Sequence, residues 1–220
     1  MKVLFCAVLV LGTSLPLSAD EHEQKATSES QRAIREFNER GGWAYWAQKT
    51  DNHLIIRRKS KHEKHRIDLA LLKPLLDVKR LTIHGTNFYD DDLNAISNWK
   101  HLEGLHLIYN QVSDDGLRHI TGLSKLKRLI LWDTKVTGKG LKHVANLTKL
   151  EDLEFQRNRM VVVELESLPH LKKLWLVEPR TTAVRLNKLP ALRELDVHST
   201  KITEENVKQL RQAFPKCDID

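Results

Sequence analysis

The chain has 220 residues, 40% of them hydrophobic, and carries a formal charge of +7 with only two cysteines. That length holds one substantial core or two small ones, and an apolar fraction this ordinary excludes a disordered chain. Beyond the first residues, no stretch is apolar enough to span a bilayer.

At the N-terminus, Lys2 precedes the apolar run VLFCAVLVL and then GTSLPLSA, which ends on the small residue Ala19. A basic start, a short apolar stretch and a small residue read as a secretory signal peptide over residues 1–19. Gly12, Thr13, Ser14 and Pro16 interrupt the run, leaving it too short for a membrane-spanning helix. Cys6 follows Phe5, so the pattern of a lipoprotein anchor is not met. The expected location is secreted or periplasmic. Cys217 is then the one cysteine left, and a single thiol makes no internal disulfide.

Residues 20–66 read as an N-terminal cap. SESQRAIREFNERGG predicts a helix with Ala33, Ile34 and Phe37 on one face and Gly41-Gly42 as its stop. WAYWAQ and HLIIRRKS follow as strands joined by the turn TDN. Trp43, Tyr45 and Trp46 alternate like strand core residues, not like a base-stacking platform, so no nucleic acid is expected as a partner. A basic run comes next: Arg57, Arg58, Lys59, Lys61, Lys64 and Arg66, opposed only by Glu63. Such a run suits a solvated strand edge, or a surface that attracts an anionic envelope component such as polysaccharide or lipid headgroups. Within it, KHEKHR spaces His62 and His65 three apart, whereas the zinc-protease helix needs its two histidines four apart. Neither a metal nor another cofactor is expected.

From residue 67 the chain repeats. IDLALLKPLL supplies Leu69, Leu72 and Leu75, a partial first unit. The pattern L-x-x-L-x-L then starts at Val78, Leu102, Leu126, Leu150, Leu171 and Leu192, in steps of 24, 24, 24, 21 and 21. The second halves read VSDDGLRHITGL, VTGKGLKHVANL and ITEENVKQLRQA. Over residues 67–220 the chain therefore resembles the leucine-rich-repeat family, in the V-T-D-x-G-L variety found in many bacterial secreted proteins and in F-box ubiquitin ligases. The resemblance implies a curved α/β solenoid, with parallel strands on its concave face and short helices or 3₁₀ turns on its convex face. It also implies a binding role, not an enzymatic one. A substrate adaptor of the ubiquitin-ligase type follows only from the repeat variety, and the signal peptide argues against it.

Elementary geometry agrees. Alternate strand residues point to opposite faces, so Leu105 and Leu107 point inward while Gly104, His106 and Ile108 point out. Leu117, Ile120 and Leu123 lie three apart, as on a buried helical turn. Ser113, Thr137 and Thr203 precede these turns as caps. Asp90-Asp91-Asp92 and Asp114-Asp115 suit capping and dipole roles better than calcium. His119 and His143 share one convex position, but two imidazoles without a third ligand make a poor zinc site. The units starting at 150 and 171 lack three residues, so their backs should be extended or 3₁₀. FPKCDID predicts a last strand with Cys217 and Ile219 inward.

Outward strand positions form the candidate binding surface. Ile108, Ile130 and Trp132 lie on adjoining rungs, with Tyr109 just past one strand. His84, His106, Glu154, Trp175 and Asp196 complete the predicted face, with Glu154 on the rung between Trp132 and Trp175. No Ser-His-Asp set, phosphate loop or Cys-His pair is present, so no catalysis is expected. The expected function is a secreted or periplasmic module that recognises a protein or peptide through this face, with the anionic envelope component at the basic run as the alternative.

Overall fold

The computed structural model describes residues 19–47, 52–57, 68–85 and 88–220. The expected signal peptide up to residue 18 and the basic run after Arg57 lie outside them. The first helix, α1 (Ala19–Glu39), begins well before the predicted start at Ser28. It buries Ala33 and Phe37 and half-buries Ile34, the predicted face. Beyond it the chain turns through Gly41 at a left-handed φ of 93°, where glycine is the unstrained residue.

Strands β1 (Ala44–Trp46) and β2 (His53–Arg57) form the expected antiparallel hairpin, with Ala44 opposite Ile56. The fully buried residue of β1 is Ala44, and Trp46 on the same face packs half-buried against the core, whereas Trp43 is 47% exposed and tilts against Tyr45 at 6.0 Å. Asn38 at the end of α1 accepts from Ala44 N at 2.7 Å and donates to Ala44 O at 3.0 Å. These bonds hold the strand against the helix, where a methyl group fits and an indole does not.

β2 then pairs in parallel with β3 (Arg80–His84), and the ladder continues through β4 (Gly104–Ile108), β5 (Arg128–Trp132) and β6 (Asp152–Gln156). The next rungs alternate sides. β7 (Val162–Glu166) and β9 (Ala183–Asn187) lie on the convex side, while β8 (Lys173–Val177), β10 (Glu194–Asp196) and the short β11 (Asp218–Ile219) extend the concave sheet to nine strands. In register, Leu81, Leu105, Leu129, Leu153, Leu174 and Leu195 align across the sheet. All six are buried, so the inward and outward assignment from the repeat is correct throughout. The first leucine of each unit closes a tight turn: Leu126 N donates to Leu123 O at 3.0 Å, and Leu102, Leu150, Leu171 and Leu192 repeat the bond.

The convex side holds 3₁₀ turns at Leu69–Leu72 and Asp90–Ile96, then α2 (Asp114–Leu117), α3 (Leu141–Val144) and α4 (Glu204–Ala213). As expected, Ser113, Thr137 and Thr203 cap these turns with their hydroxyls. The two short units are extended at the back, also as expected, and β7 and β9 pair there as a second parallel sheet. Asn206 of α4 meets the outer edge of β9 like another strand: its Oδ1 accepts from Val184 N at 2.8 Å and its Nδ2 donates to Val184 O at 3.0 Å. The whole is a curved α/β leucine-rich-repeat solenoid. At its end Ile219 is buried, and Cys217 is half-buried against the core with its thiol pushed up to about 11 by burial. No helix among the described residues is long and apolar enough to cross a membrane.

Candidate functional site on the concave face

The outward positions of β3 to β10 lie in three rows. The first runs Arg80, Gly104, Arg128, Asp152, Lys173, Glu194; the second Thr82, His106, Ile130, Glu154, Trp175, Asp196; the third His84, Ile108, Trp132, Gln156, Val177. Strands about 4.8 Å apart bring each row's neighbours into contact. Every predicted concave residue except Tyr109, which lies just past β4, is therefore in these rows. Of the basic run, only Arg57 is within the described residues, exposed at the end of β2.

At the N-terminal end the face is rich in histidine. His53 Nε2 lies 2.9 Å from Thr82 Oγ1, which lies 3.3 Å from His106 Nδ1. Burial, then the charges of His53, Arg128 and Arg80, lowers the His106 pKa to about 4. His84 meets Tyr109 edge-on at 5.3 Å. Tyr109 is 47% exposed and takes a left-handed φ of 57°. Gly85, Asp133 and Arg157 adopt the same conformation at the same point of their rungs, so the chain leaves each of these strands by one geometry. A bulky side chain is strained there, and the turn sets it on the rim of the face.

Toward the C-terminal end the charges pair across strands. Arg128 grips Asp152 Oδ2 through Nη2 at 2.5 Å and Nε at 2.9 Å. Lys173 Nζ lies 2.6 Å from Glu194 Oε2, and Trp175 Nε1 donates to Glu194 Oε1 at 2.8 Å. Lys173, and then Trp175, hold the Glu194 carboxyl below the usual range. Asp196 accepts from its neighbour His198. Glu154 closes no ion pair among the described residues. Burial pushes its carboxyl up, opposed by the Trp132 indole and Arg128. Trp132 reaches toward Glu154 without closing a bond of good geometry, and its indole nitrogen is out of contact with solvent. Trp132 is thus a half-buried wall of the face, whereas Trp175 is 38% exposed. Between β5, β6 and β8 a shallow pocket of about 140 Å³ opens on this face.

No family model matches this chain, and no curated protein matches it. Leucine-rich-repeat proteins are among the solved structures it is similar to. A leucine-rich-repeat protein of Leptospira interrogans matches at 21% identity and a TM-score of 0.46, covering 72% of this chain; this chain spans 41% of that protein's length. Internalin C2 of Listeria monocytogenes matches at 18% identity and a TM-score of 0.45, over 68% of this chain and 73% of its own. The ectodomain of the receptor kinase SOBIR1 from Arabidopsis thaliana matches at 20% identity and a TM-score of 0.41, over 76% and 97%.

Arg128 and Lys173 are absent from the predicted site, and with them the cross-strand pairs they form with Asp152 and Glu194. The signal was available, because these residues occupy one rung position with alternating charge. A second missed cluster is buried behind the sheet. Asn158 Nδ2 donates to Leu131 O and to Glu178 Oε1, each at 2.8 Å, and Asn158 Oδ1 accepts from the Thr134 backbone and hydroxyl. Glu178 is fully buried, and burial raises its pKa. A carboxylate one residue before a proline gave no hint of being a core group.

Proposed function

We propose that this chain is an exported leucine-rich-repeat module that recognises a protein or peptide through its concave face. One observation carries the reading: every core position of the rungs is already filled, yet Ile108, Tyr109, Ile130 and Trp175 stand outward on one contiguous face, with Tyr109 and Trp175 substantially exposed. A contiguous apolar patch rimmed by charge is the usual form of a protein-binding surface, and tryptophan is the residue most enriched at binding hot spots. Export rests on the N-terminal pattern from Lys2 to Ala19.

The test is capture from an envelope extract of the source organism, comparing wild type with Trp175→Ala. Trp175 is exposed, so the variant should melt within a few degrees of wild type while capture weakens about thirtyfold, as for a hot-spot tryptophan. Equal capture by a folded Trp175→Ala protein would remove the concave face from consideration. Capture that persists in the variant but collapses as salt is raised would instead assign binding to the basic run from Arg57 to Arg66 and an anionic envelope component.

A further inference from the structure

We propose that the pocket between β5, β6 and β8 takes an arginine side chain of the protein partner, with Glu154 as its counter-ion and Trp175 as the surface on which its guanidinium stacks. This rests on the concave-face reading above and names the chemistry of the group recognised there.

Three features of the pocket point to this occupant. The first is charge. Arg128 is spent on Asp152, and Glu194 uses both oxygens on Lys173 and Trp175. Glu154, midway along the second row, is the lining carboxylate that closes no ion pair among the described residues, though the Arg128 charge acts on it from a distance. A carboxylate in that position is complementary to one positive group. The second is shape. Ile130, Glu154 and Trp175 stand side by side on three adjacent strands, so Ile130 and Trp175 flank the carboxylate with apolar surface. A volume of about 140 Å³ has room for a single side chain. The third is preorganisation. The bond from Trp175 Nε1 to Glu194 holds the indole in one orientation before any ligand arrives. A fixed aromatic face beside a carboxylate binds a cation through its quadrupole as well as through charge.

Arginine fits this set better than lysine. Its planar fork meets both oxygens of a carboxylate and stacks on an aromatic plane at the same time. It is also more weakly hydrated than an ammonium, and so loses less on entering a partly desolvated site. Its aliphatic stem would lie against Ile130.

The experiment follows the indole N–H resonances of ¹⁵N-labelled protein during titration with Nα-acetyl-arginine methylamide. The Trp175 signal should shift saturably, with a dissociation constant on the order of millimolar for one such contact. The lysine analogue should bind more weakly, and the uncharged norleucine analogue should produce no saturable shift. Glu154→Gln should weaken the arginine probe about tenfold, as expected when a charge-assisted bond is lost. An absent shift in wild type, equal binding of the lysine probe, or an unchanged affinity in Glu154→Gln would each overturn the proposal. The probe comparison uses wild-type protein alone, so it stands even if the variant misfolds. Partner capture that depends on Trp175 without any response to the arginine probe would refute this inference and leave the concave reading intact. A saturable arginine shift with capture unaffected by Trp175→Ala would leave an arginine pocket but overturn the concave-face reading, and with it the assignment of that arginine to the partner.

Discussion

His106 shows how much one imidazole on the concave face depends on being neutral. It stands between Thr82 and Ile130 in the second row, and its pKa is lowered from 6.5 to about 4. A base whose folded pKa is depressed contributes stability that is complete above its unfolded value and lost as pH falls through the folded value. Stability should therefore decline between about pH 6.5 and pH 4, with a total loss of roughly 3 kcal/mol once His106 is protonated. Glu178 titrates in the opposite sense. Its carboxyl is raised by burial, so stability is complete below the ordinary carboxylate pKa and is lost as pH rises through the folded value. The measurement that isolates His106 is thus a comparison of variants, not a single slope. Melting temperatures of wild type and His106→Gln should diverge at neutral pH and converge toward pH 4. Parallel pH profiles for the two would show that His106 is not the group responsible.

Three successive convex turns are tied together by a relay of aspartates, Asp90 and Asp114. Asp90 accepts from Ser113 N at 2.7 Å and from Ser113 Oγ at 2.6 Å, and Asp114 repeats both bonds with Thr137. The aspartate of one rung thus seats the cap residue of the next. The glycines belong to the same device. A Cβ on Gly116 would lie 2.5 Å from Asp90 Oδ1, and one on Gly140 would lie 2.5 Å from Asp114 Oδ1. Gly140→Ala should cost about 1–3 kcal/mol through this overlap, and Asp114→Ala about 1–3 kcal/mol through the unpartnered cap. The double substitution removes the overlap along with the carboxylate, so its loss should fall short of the sum by about 1 kcal/mol or more. Additive losses in thermal or denaturant unfolding would show that glycine is needed at 140 for another reason. The relay stops at Gly138, which stands where an aspartate would. A side chain there would run into Val162 O of β7 at 2.1 Å, so glycine is what lets the first extended back pack against this turn.

At the scale of the molecule, the solenoid was legible because it repeats. Six phased copies over-determine the register, and the buried Leu105, Leu129 and Leu174 follow from their spacing alone. The three missing residues of the units at 150 and 171 likewise foretold extended backs. What spacing does not carry is the partner of each polar group. The pairing of β7 with β9, the closure of that sheet by Asn206 and the commitment of Glu194 to Trp175 depend on side-chain directions that only three-dimensional neighbours fix. Trp43 misled because alternation alone does not say which parity of β1 faces inward, and Ala44 and Trp46 take that side. Glu178 was invisible because it stands one place away from the position that Asn110 and Asn158 occupy in their own rungs. The aspartate relay has a further consequence for how such a chain lengthens. Each rung ends on a fitting that only certain rungs accept, so the repeats behave like couplings with two sexes and not like interchangeable beads. A tandem copy of residues 102–125 presents an aspartate to a serine and glycine identical to its own, and should splice in silently. A tandem copy of residues 126–149 offers Gly138 where its twin needs a carboxylate. Insertion there should lower the melting temperature measurably.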